Sequence, residues 1–343
     1  MNLNFKSNEF RIGIIGAGAW GTAIARFLCI KGCSVKLWCH QIETANDINT
    51  NHLNSHFLPN IQLPESLEAT NELKEIVKDY RIIASSLPSQ VTRKYAKLMN
   101  SEITEKHILV ILSKGIEQNS LALISEIFEE ELDNLPKIEV VSGPTFAQEV
   151  AMDLPSAALL ACKDKKTRNF LQKMFHSKKL RIYLSEDIIG AQLGGAIKNV
   201  IAIASGIADG MQLGFNARAT LICRGVAEMS KLGLKMGGAP ETFSGISGVG
   251  DLILTATGKL SRNYSLGFKL GQGIPLKKCL NQNRKVVEGF SSAISINNLS
   301  KIHKIEMPIC NAVFQVLYEG ISCAQSLQWL LERNPPDEEI INS

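Results

Sequence analysis

The sequence lacks the marks of several classes of protein. Its eight cysteines form no CxxC pair, and no pair of histidines accompanies them at zinc-binding spacing. We therefore expect free, buried thiols in a reducing cytosol and no bound metal. Lys and Arg outnumber Asp and Glu by only 37 to 33, a formal charge of +4. So small an excess does not indicate nucleic acid as a partner, although it is compatible with small anionic substrates.

Long apolar runs are also scarce. Residues 12–30 are mostly apolar, but they include four glycines and Arg26, and no convincing cleavage site follows, so a signal peptide is not indicated. The next run, residues 200–208, has nine residues, whereas a membrane span needs about 20. We expect a soluble, cytoplasmic protein with no membrane span.

The order of strand-like and helix-like segments predicts two domains. A chain of 343 residues, 45% of them apolar, is long enough for two cores at about 150 residues each. Apolar strands alternate with helical stretches up to about residue 188, which indicates a doubly wound, mostly parallel sheet. A long helical run then begins at residue 189, and strand signals nearly vanish. We predict an α/β Rossmann domain at residues 1–189 and an all-α domain at residues 190–343.

A glycine-rich turn follows the first strand, residues 11–15, and opens a helix. In the order Gly16-x-Gly18-x-x-Gly21, the first glycine permits a tight turn and the second lets the backbone approach a pyrophosphate. The third lets the helix pack closely on the sheet. The N-terminus of the helix would present N–H groups and a positive dipole to the anion. A glycine-rich turn with no ligand is the alternative.

The end of the second strand carries no acid where a carboxylate commonly binds the ribose. The chain reads Trp38-Cys39-His40-Gln41 at this place, and the first acid is Glu43. We interpret this as permitting NADP, with His40 near the adenosine ribose. The alternative, that Glu43 reaches back and selects NAD, stays open.

Two polar residues interrupt the almost unbroken small and apolar run of residues 192–209: Lys198 and Asn199. A lysine in such a helix should be buried and should have a partner or a function. Burial lowers the pKa of a lysine, which suits it to exchange a proton with a carbonyl or alcohol oxygen. A lysine that extends along a packed face to solvent is an equal alternative. Asp251, after Gly248-Val-Gly250, either caps the next helix or orients Lys198.

Three further segments carry candidate ligand-binding side chains. Lys114 and Thr145 stand in loops after strands, where such sheets bind their ligands. Ser261-Arg262-Asn263 combines a guanidinium fork with hydroxyl and amide donors, which suits an anion. Taken singly, each is more often an ordinary solvated loop.

Together these motifs resemble the bacterial NAD(P)-dependent glycerol-3-phosphate dehydrogenases, in the same order and spacing over roughly residues 11–330. The block QLGGAIKNVIA around Lys198 is the most specific part of the match. Cys39 stands where that family commonly has glycine. The other matching segments include Ser113-Lys114-Gly115, Ser142-Gly143-Pro144-Thr145, Asn216-Ala-Arg218 and Val286-Val287-Glu288-Gly289.

The resemblance implies reversible reduction of dihydroxyacetone phosphate to sn-glycerol 3-phosphate by NADPH or NADH, in a cytoplasmic homodimer that supplies phospholipid synthesis. It implies that Lys198 is the proton donor and acceptor, with Lys114 and Asp251 beside it. The implied substrate-binding residues are Lys114, Gly143, Thr145, Lys198, Asp251, Ser261, Arg262 and Asn263. The implied cofactor contacts, besides the three glycines, are Ala19, Trp20, His40, Lys114, Ala147, Arg262, Val286 and Glu288.

Two other functions remain as alternatives. One is a related two-domain dehydrogenase that acts on another hydroxy substrate, against which the Lys198 block and the 261–263 set argue. The other is a regulatory protein that binds the cofactor without catalysis, although all the expected reacting groups are present.

Overall fold

The structure is a computed structural model in which we describe residues 10–282 and 286–334. The remaining parts of the predicted domains 1–189 and 190–343 lie outside the described residues. The chain divides into two compact units. The sheet unit comprises residues 10–113 and 124–188, and the helical unit comprises residues 114–123, 189–282 and 286–334.

The sheet unit contains an eight-stranded sheet in the order β3-β2-β1-β4-β5-β6-β7-β8. All neighbouring strands are parallel except β6 and β7, which confirms a doubly wound, mostly parallel sheet. Its central strands are short and apolar because helices cover both faces of such a sheet. The strands are β1 (Arg11–Ile15), β2 (Ser34–Trp38), β3 (Glu68–Thr70), β4 (Ile82–Ser85), β5 (Ile108–Ile111), β6 (Lys137–Ser142), β7 (Ser156–Ala161) and β8 (Leu180–Ser185).

The helices of this unit connect the strands. The first begins at Ala19, inside the glycine motif. They are α1 (Ala19–Ile30), α2 (Ile42–Asn51), α3 (Leu73–Asp79), α4 (Thr92–Met99), α5 (Ile124–Glu131), α6 (Ala147–Ala151) and α7 (Lys165–Phe175), with a short 3₁₀ turn at Ser89–Val91.

The strand order reverses direction at β1. The chain passes from β1 outward to β2 and β3, and then returns to β4 on the other side of β1. The connections that leave the carboxyl ends of β1 and β4 therefore diverge, and a doubly wound sheet binds its ligand in the crevice that this reversal creates.

The helical unit confirms the predicted all-α architecture. Its helices are α8 (Ile188–Gly210), α9 (Gly214–Lys235), α10 (Pro240–Ser244), α11 (Asp251–Thr257), α12 (Arg262–Gly271), α13 (Leu276–Gln282), α14 (Glu288–His303), α15 (Pro308–Phe314) and α16 (Cys323–Glu332). Two single π-helical turns, Ile246–Gly250 and Gln315–Glu319, interrupt this series.

Helix α8 is the central element of the helical unit. Every residue from 190 to 206 is buried, so the helix is apolar on all sides. Among the described residues it is the one helix long and apolar enough to cross a membrane. In the sequence, only the nine-residue apolar run within it was considered as a span, and that run did not predict this. However, 89% of its most apolar 18-residue window is buried within the protein, as expected of a core helix.

The segment 114–123 differs from the sequence prediction, which placed all of residues 1–189 in one domain. Ile116 and Leu123 form an antiparallel bridge and are buried in the core of the helical unit. The Ser295 hydroxyl donates to the Ile116 carbonyl at 3.2 Å. Because these apolar contacts hold the segment, Lys114 belongs to the helical unit.

Candidate active site

The three positions after β1 are occupied by glycine for different structural reasons. Gly16 has a φ of +112°, and a Cβ there would lie 2.9 Å from the Ser86 carbonyl oxygen. A Cβ on Gly21 would lie 2.0 Å from the Gly16 carbonyl oxygen. In contrast, a Cβ on Gly18 would meet nothing within 4 Å. Gly16 and Gly21 thus serve packing, whereas Gly18 leaves open space at the start of α1.

The start of α1 fits the pyrophosphate of a dinucleotide. Gly18 is the N-cap, no side chain caps this end, and the first turn carries no acid. The first amides of any helix have no partner within it, so they are available to an anion. The buried indole Nε1 of Trp20 also has no hydrogen-bond partner among the described residues. This edge of the sheet unit therefore offers donors to a negatively charged group.

Several predicted ligand contacts of the sheet unit lie together. Ala19, Trp20 and Ala147 pack against one small apolar cluster that includes Ala23 and Ala151. The loop between β6 and α6 supplies the remaining pair, since the Thr145 hydroxyl donates to the Gly143 carbonyl at 3.1 Å. The structure thus gathers Ala19, Trp20 and Ala147 in one cluster and places Gly143 and Thr145 in the loop that precedes Ala147.

The end of β2 presents His40 rather than an acid. The His40 Nδ1 atom lies 3.0 Å from the Tyr95 hydroxyl, a partner that sequence reasoning missed. Glu43 lies in the first turn of α2, and it makes no hydrogen bond or ion pair with any described residue. No described residue thus holds Glu43 away from the end of β2, and its use as a ribose ligand stays an open alternative.

The helical unit assembles a charged cluster that we call the lysine cluster: Lys114, Lys198, Asp251 and Thr255. Lys198 Nζ lies 2.5 Å from Asp251 Oδ1, and Lys114 Nζ lies 2.7 Å from Asp251 Oδ2. Lys198 also donates to the Thr255 hydroxyl at 2.7 Å. Lys198 is 5% exposed and Asp251 is 1% exposed. Lys198 is consequently a buried lysine with partners, and Asp251 orients it rather than serving only as a helix cap.

The environment of Lys198 suits proton exchange. Burial lowers the pKa of Lys198 to about 7, although the Asp251 charge opposes this shift and the Lys114 charge adds to it. An ammonium has three hydrogens, of which Asp251 and Thr255 engage two. No other described residue engages the third, which is left for a substrate oxygen.

Thr255 was missed by sequence reasoning, although a signal was present. It stands four residues after Asp251 in α11, so both side chains lie on one face of that helix. Its hydroxyl donates to the Asp251 carbonyl at 2.7 Å, which directs the oxygen lone pairs toward the lysine. The spacing alone could have added Thr255 to the candidate set.

Two buried asparagines connect neighbouring helices beside the cluster. Asn263 Nδ2 donates to Asn199 Oδ1 at 2.8 Å, and Asn263 Oδ1 accepts from the Gly289 amide at 2.9 Å. Asn199 Nδ2 donates to the Gly195 carbonyl at 3.2 Å and to the Lys114 carbonyl at 3.4 Å. Asn199 was absent from the predicted site, yet it joins Asn263 to the backbone that carries Lys114.

The remaining predicted residues of the helical unit separate into two groups. The Ser261 hydroxyl is buried and caps α12 by accepting from the Tyr264 amide at 3.1 Å. Arg262 is exposed and donates to the Val286 carbonyl at 2.7 Å, and Glu288 begins α14 two residues later. Arg262 thus contacts Val286, another predicted ligand residue, whereas Ser261 contacts the backbone of its own helix.

Comparison with known proteins matches both units. Residues 11–168 match the family model described as NAD-dependent glycerol-3-phosphate dehydrogenase N-terminus. Residues 187–328 match the model described as NAD-dependent glycerol-3-phosphate dehydrogenase C-terminus.

Whole-chain relatives agree with these models. Glycerol-3-phosphate dehydrogenase (NAD(P)+) of Geobacter sulfurreducens is 42% identical over 330 residues, which cover 94% of this chain and 97% of that protein. The Staphylococcus epidermidis protein of the same name is 39% identical, over 96% of this chain and 99% of that one. A crystal structure of glycerol-3-phosphate dehydrogenase from Coxiella burnetii matches with a TM-score of 0.91 at 37% identity, covering 94% of this chain and 99% of that one.

Proposed function

This chain belongs to the NAD-dependent glycerol-3-phosphate dehydrogenase family, and on that premise we propose that it reversibly reduces dihydroxyacetone phosphate to sn-glycerol 3-phosphate. The observation that carries the proposal is the buried Lys198, held by Asp251 and Thr255 with one N–H direction left over. When bound, NADPH or NADH supplies the hydride that reduces C2 of the ketone. The lysine cluster supplies what that step lacks, namely a proton and a positive charge.

Lys198 is the proposed general acid and base. In reduction its ammonium gives a proton to the oxygen on C2, and in oxidation its neutral amine takes that proton back. A pKa of about 7 lets both protonation states be populated near neutral pH. Asp251 and Thr255 hold the amine in place, so they are proposed to position the proton.

The second positive charge has an electrostatic role. Lys114 and Lys198 would both stabilise the negative charge that develops on the substrate oxygen. Asp251 accepts from both ammonium groups, at 2.7 Å and 2.5 Å, and keeps the charges of half-buried Lys114 and buried Lys198 close together. Without that carboxylate the two ammonium groups would repel each other.

Arg262 and Asn263 are proposed to bind the substrate phosphate. Arg262 uses one N–H on Val286, which leaves other donors of its planar fork for phosphate oxygens. Asn263 uses one amide hydrogen on Asn199 and keeps a second. Ser261 supports both because it caps the helix on which they stand, and Gly143 and Thr145 of the sheet unit are proposed to complete the substrate contacts.

The sheet unit is proposed to hold the dinucleotide at the glycine turn. Gly16, Gly18 and Gly21 with the start of α1 would bind the pyrophosphate, and His40 would lie at the adenosine ribose. The apolar cluster that contains Ala19, Trp20 and Ala147 would cover an uncharged part of the dinucleotide. The further proposed contacts, in the helical unit, are Lys114, Arg262, Val286 and Glu288.

The cellular setting is part of the same proposal. A cytoplasmic enzyme with this activity would supply sn-glycerol 3-phosphate to phospholipid synthesis. We propose a homodimer, and sedimentation of the purified protein would test this by giving twice the chain mass or the chain mass alone.

A spectrophotometric assay tests the activity. Purified protein is mixed with dihydroxyacetone phosphate and either NADPH or NADH, and the loss of reduced-nicotinamide absorbance is followed. We expect substrate-dependent oxidation, and formation of reduced cofactor when sn-glycerol 3-phosphate and oxidised cofactor are supplied instead. No turnover in either direction, from protein shown to be folded, would contradict the proposal.

A further inference from the structure

A tyrosine that the proposed reaction does not use holds the ring of His40. Tyr95 belongs to α4, which follows β4, whereas His40 follows β2. The strand β1 lies between β2 and β4 in the sheet, so the pair connects the two sides of the strand reversal. The Tyr95 hydroxyl and His40 Nδ1 are 3.0 Å apart, within hydrogen-bond distance.

The tyrosine is itself held firmly. It is 8% exposed, and its ring meets the Trp38 ring edge-on with the centroids 5.0 Å apart. The Trp38 indole in turn donates to the Asn71 carbonyl at 2.9 Å. Because these contacts fix the aromatic rings, the hydroxyl has a defined position, and an ordered partner can set the orientation of a neighbouring imidazole.

The hydrogen bond of the pair can form with either tautomer of His40, since a tyrosine hydroxyl both donates and accepts. Burial raises the pKa of Tyr95, so its hydroxyl keeps a proton to donate. If that proton goes to Nδ1, the ring hydrogen of neutral His40 must be on Nε2. His40 is exposed, and the described residues provide no hydrogen-bond partner for Nε2. In that tautomer, Nε2–H is available as a donor to a ligand.

The charges around the pair favour an anion. No carboxylate follows β2 directly, and Glu43 makes no contact there within the described residues. The Lys94 ammonium lies 5.7 Å from the centroid of the Tyr95 ring, which adds a positive charge beside the tyrosine. A phosphate on the ribose 2′-oxygen suits this environment better than a hydroxyl does, because it brings charge as well as acceptor oxygens.

We propose that Tyr95 is a positioning residue that holds His40 with Nε2–H directed to the 2′-phosphate of an NADP-type dinucleotide. This inference rests on the proposed function for the presence of a dinucleotide, and it adds the residue that sets the preference between the two cofactors. Tyr95 does not touch the reacting atoms, so its removal changes binding of the 2′-phosphate and leaves the proton transfer at Lys198 intact.

The test compares two adenosine ligands that differ by one phosphate. Calorimetry gives the dissociation constants of adenosine 2′,5′-bisphosphate and of 5′-AMP for the wild type and for Tyr95→Phe. We expect the variant to bind the bisphosphate about 3- to 10-fold more weakly, because one hydrogen bond that fixes the donor is lost. Binding of 5′-AMP stays within about 2-fold, since no 2′-phosphate contact is involved. Tyr183→Phe, in β8 and 45% exposed, is the matched control and should change neither constant.

A second measurement needs no cofactor. Nitrogen-15 NMR of the histidine rings, at about pH 8 where imidazole is neutral, reports which ring nitrogen carries the hydrogen. The chain has six histidines, and His40→Gln identifies the signal of interest by its loss. We expect His40 to carry its hydrogen on Nε2 in the wild type and to show mixed tautomers in Tyr95→Phe.

Two results would overturn the inference: a wild-type His40 protonated on Nδ1, or a Tyr95→Phe variant with unchanged bisphosphate affinity. In both cases normal turnover of dihydroxyacetone phosphate would leave the proposed function standing. A wild type that binds neither adenosine ligand and turns over no substrate would contradict the proposed function instead, and the inference with it.

Discussion

The glycine turn of the sheet unit and the lysine cluster of the helical unit are built in opposite ways. The turn spans six residues, Gly16 to Gly21. It depends on backbone N–H donors and on glycines, which have no side chain to fill the space. The cluster depends on functional groups, and it joins Asp251 to residues 53 and 137 positions away in the chain. Adding atoms should therefore damage the first site, whereas removing or replacing polar groups should damage the second.

The largest expected effect is in the lysine cluster. Lys198→Ala should lower kcat about 10²- to 10⁴-fold, since it removes the proton donor and acceptor. Lys198→Arg should lose nearly as much, because a guanidinium keeps the charge but does not release its proton. Adenosine 2′,5′-bisphosphate should bind both variants as it binds the wild type. Lys235→Ala, an exposed lysine at the end of α9, is the control, and a kcat within tenfold of wild type in Lys198→Ala would remove Lys198 from the chemistry.

Two glycine substitutions sharpen the contrast within the turn. Gly21→Ala places a Cβ 2.0 Å from a backbone oxygen, so we expect it to lower the free energy of unfolding by about 1–3 kcal/mol. Gly18 has a φ of −67° and open space, so Gly18→Ala should keep its melting temperature. It should nevertheless weaken NADPH binding by about 10-fold or more, since a methyl group would stand where the ligand approaches the backbone.

Thermal denaturation and NADPH titration separate the two glycine variants. The contrast fails if Gly18→Ala unfolds at a lower temperature than Gly21→Ala, or if it binds NADPH with wild-type affinity.

A smaller effect is expected at Thr255. Thr255→Val keeps the shape of the side chain but removes the oxygen that accepts from Lys198 at 2.7 Å. We expect kcat to fall about 10-fold, the typical size for a lost hydrogen bond to a charged group. Thr257→Val in the same helix is the control, because its exposed hydroxyl contacts only the Ile253 carbonyl among the described residues. Equal kcat values for the two variants would show that Thr255 has no part in positioning the lysine.

The same contrast explains what the sequence could predict. The glycine turn was found because its residues are adjacent and its neighbours form a strand and a helix. Helix α8 was found because its apolar run is continuous. The short strand β3 did not stand out, because three residues carry too little pattern.

Contacts made over long distances in the chain were beyond reach. Nothing near Lys114 in the sequence shows that Ile116 and Leu123 pack in the helical unit, so the segment was assigned to the other domain. The partner of His40, Tyr95, stands 55 residues away and carries no motif. The cap contact of Ser261 was also not predicted, although serine at the start of a helix commonly serves as a cap.

The central claim is that a buried Lys198, held by Asp251, exchanges the proton, and the pH dependence of kcat/KM tests it most directly. Reduction needs the ammonium, so its rate should fall as pH rises through about 7, and oxidation needs the amine, so its rate should rise there. Because the Asp251 charge raises the pKa of Lys198, Asp251→Asn should move both inflections to lower pH. Inflections that stay in place in folded Asp251→Asn protein, or that lie far from neutral pH in the wild type, would contradict the account.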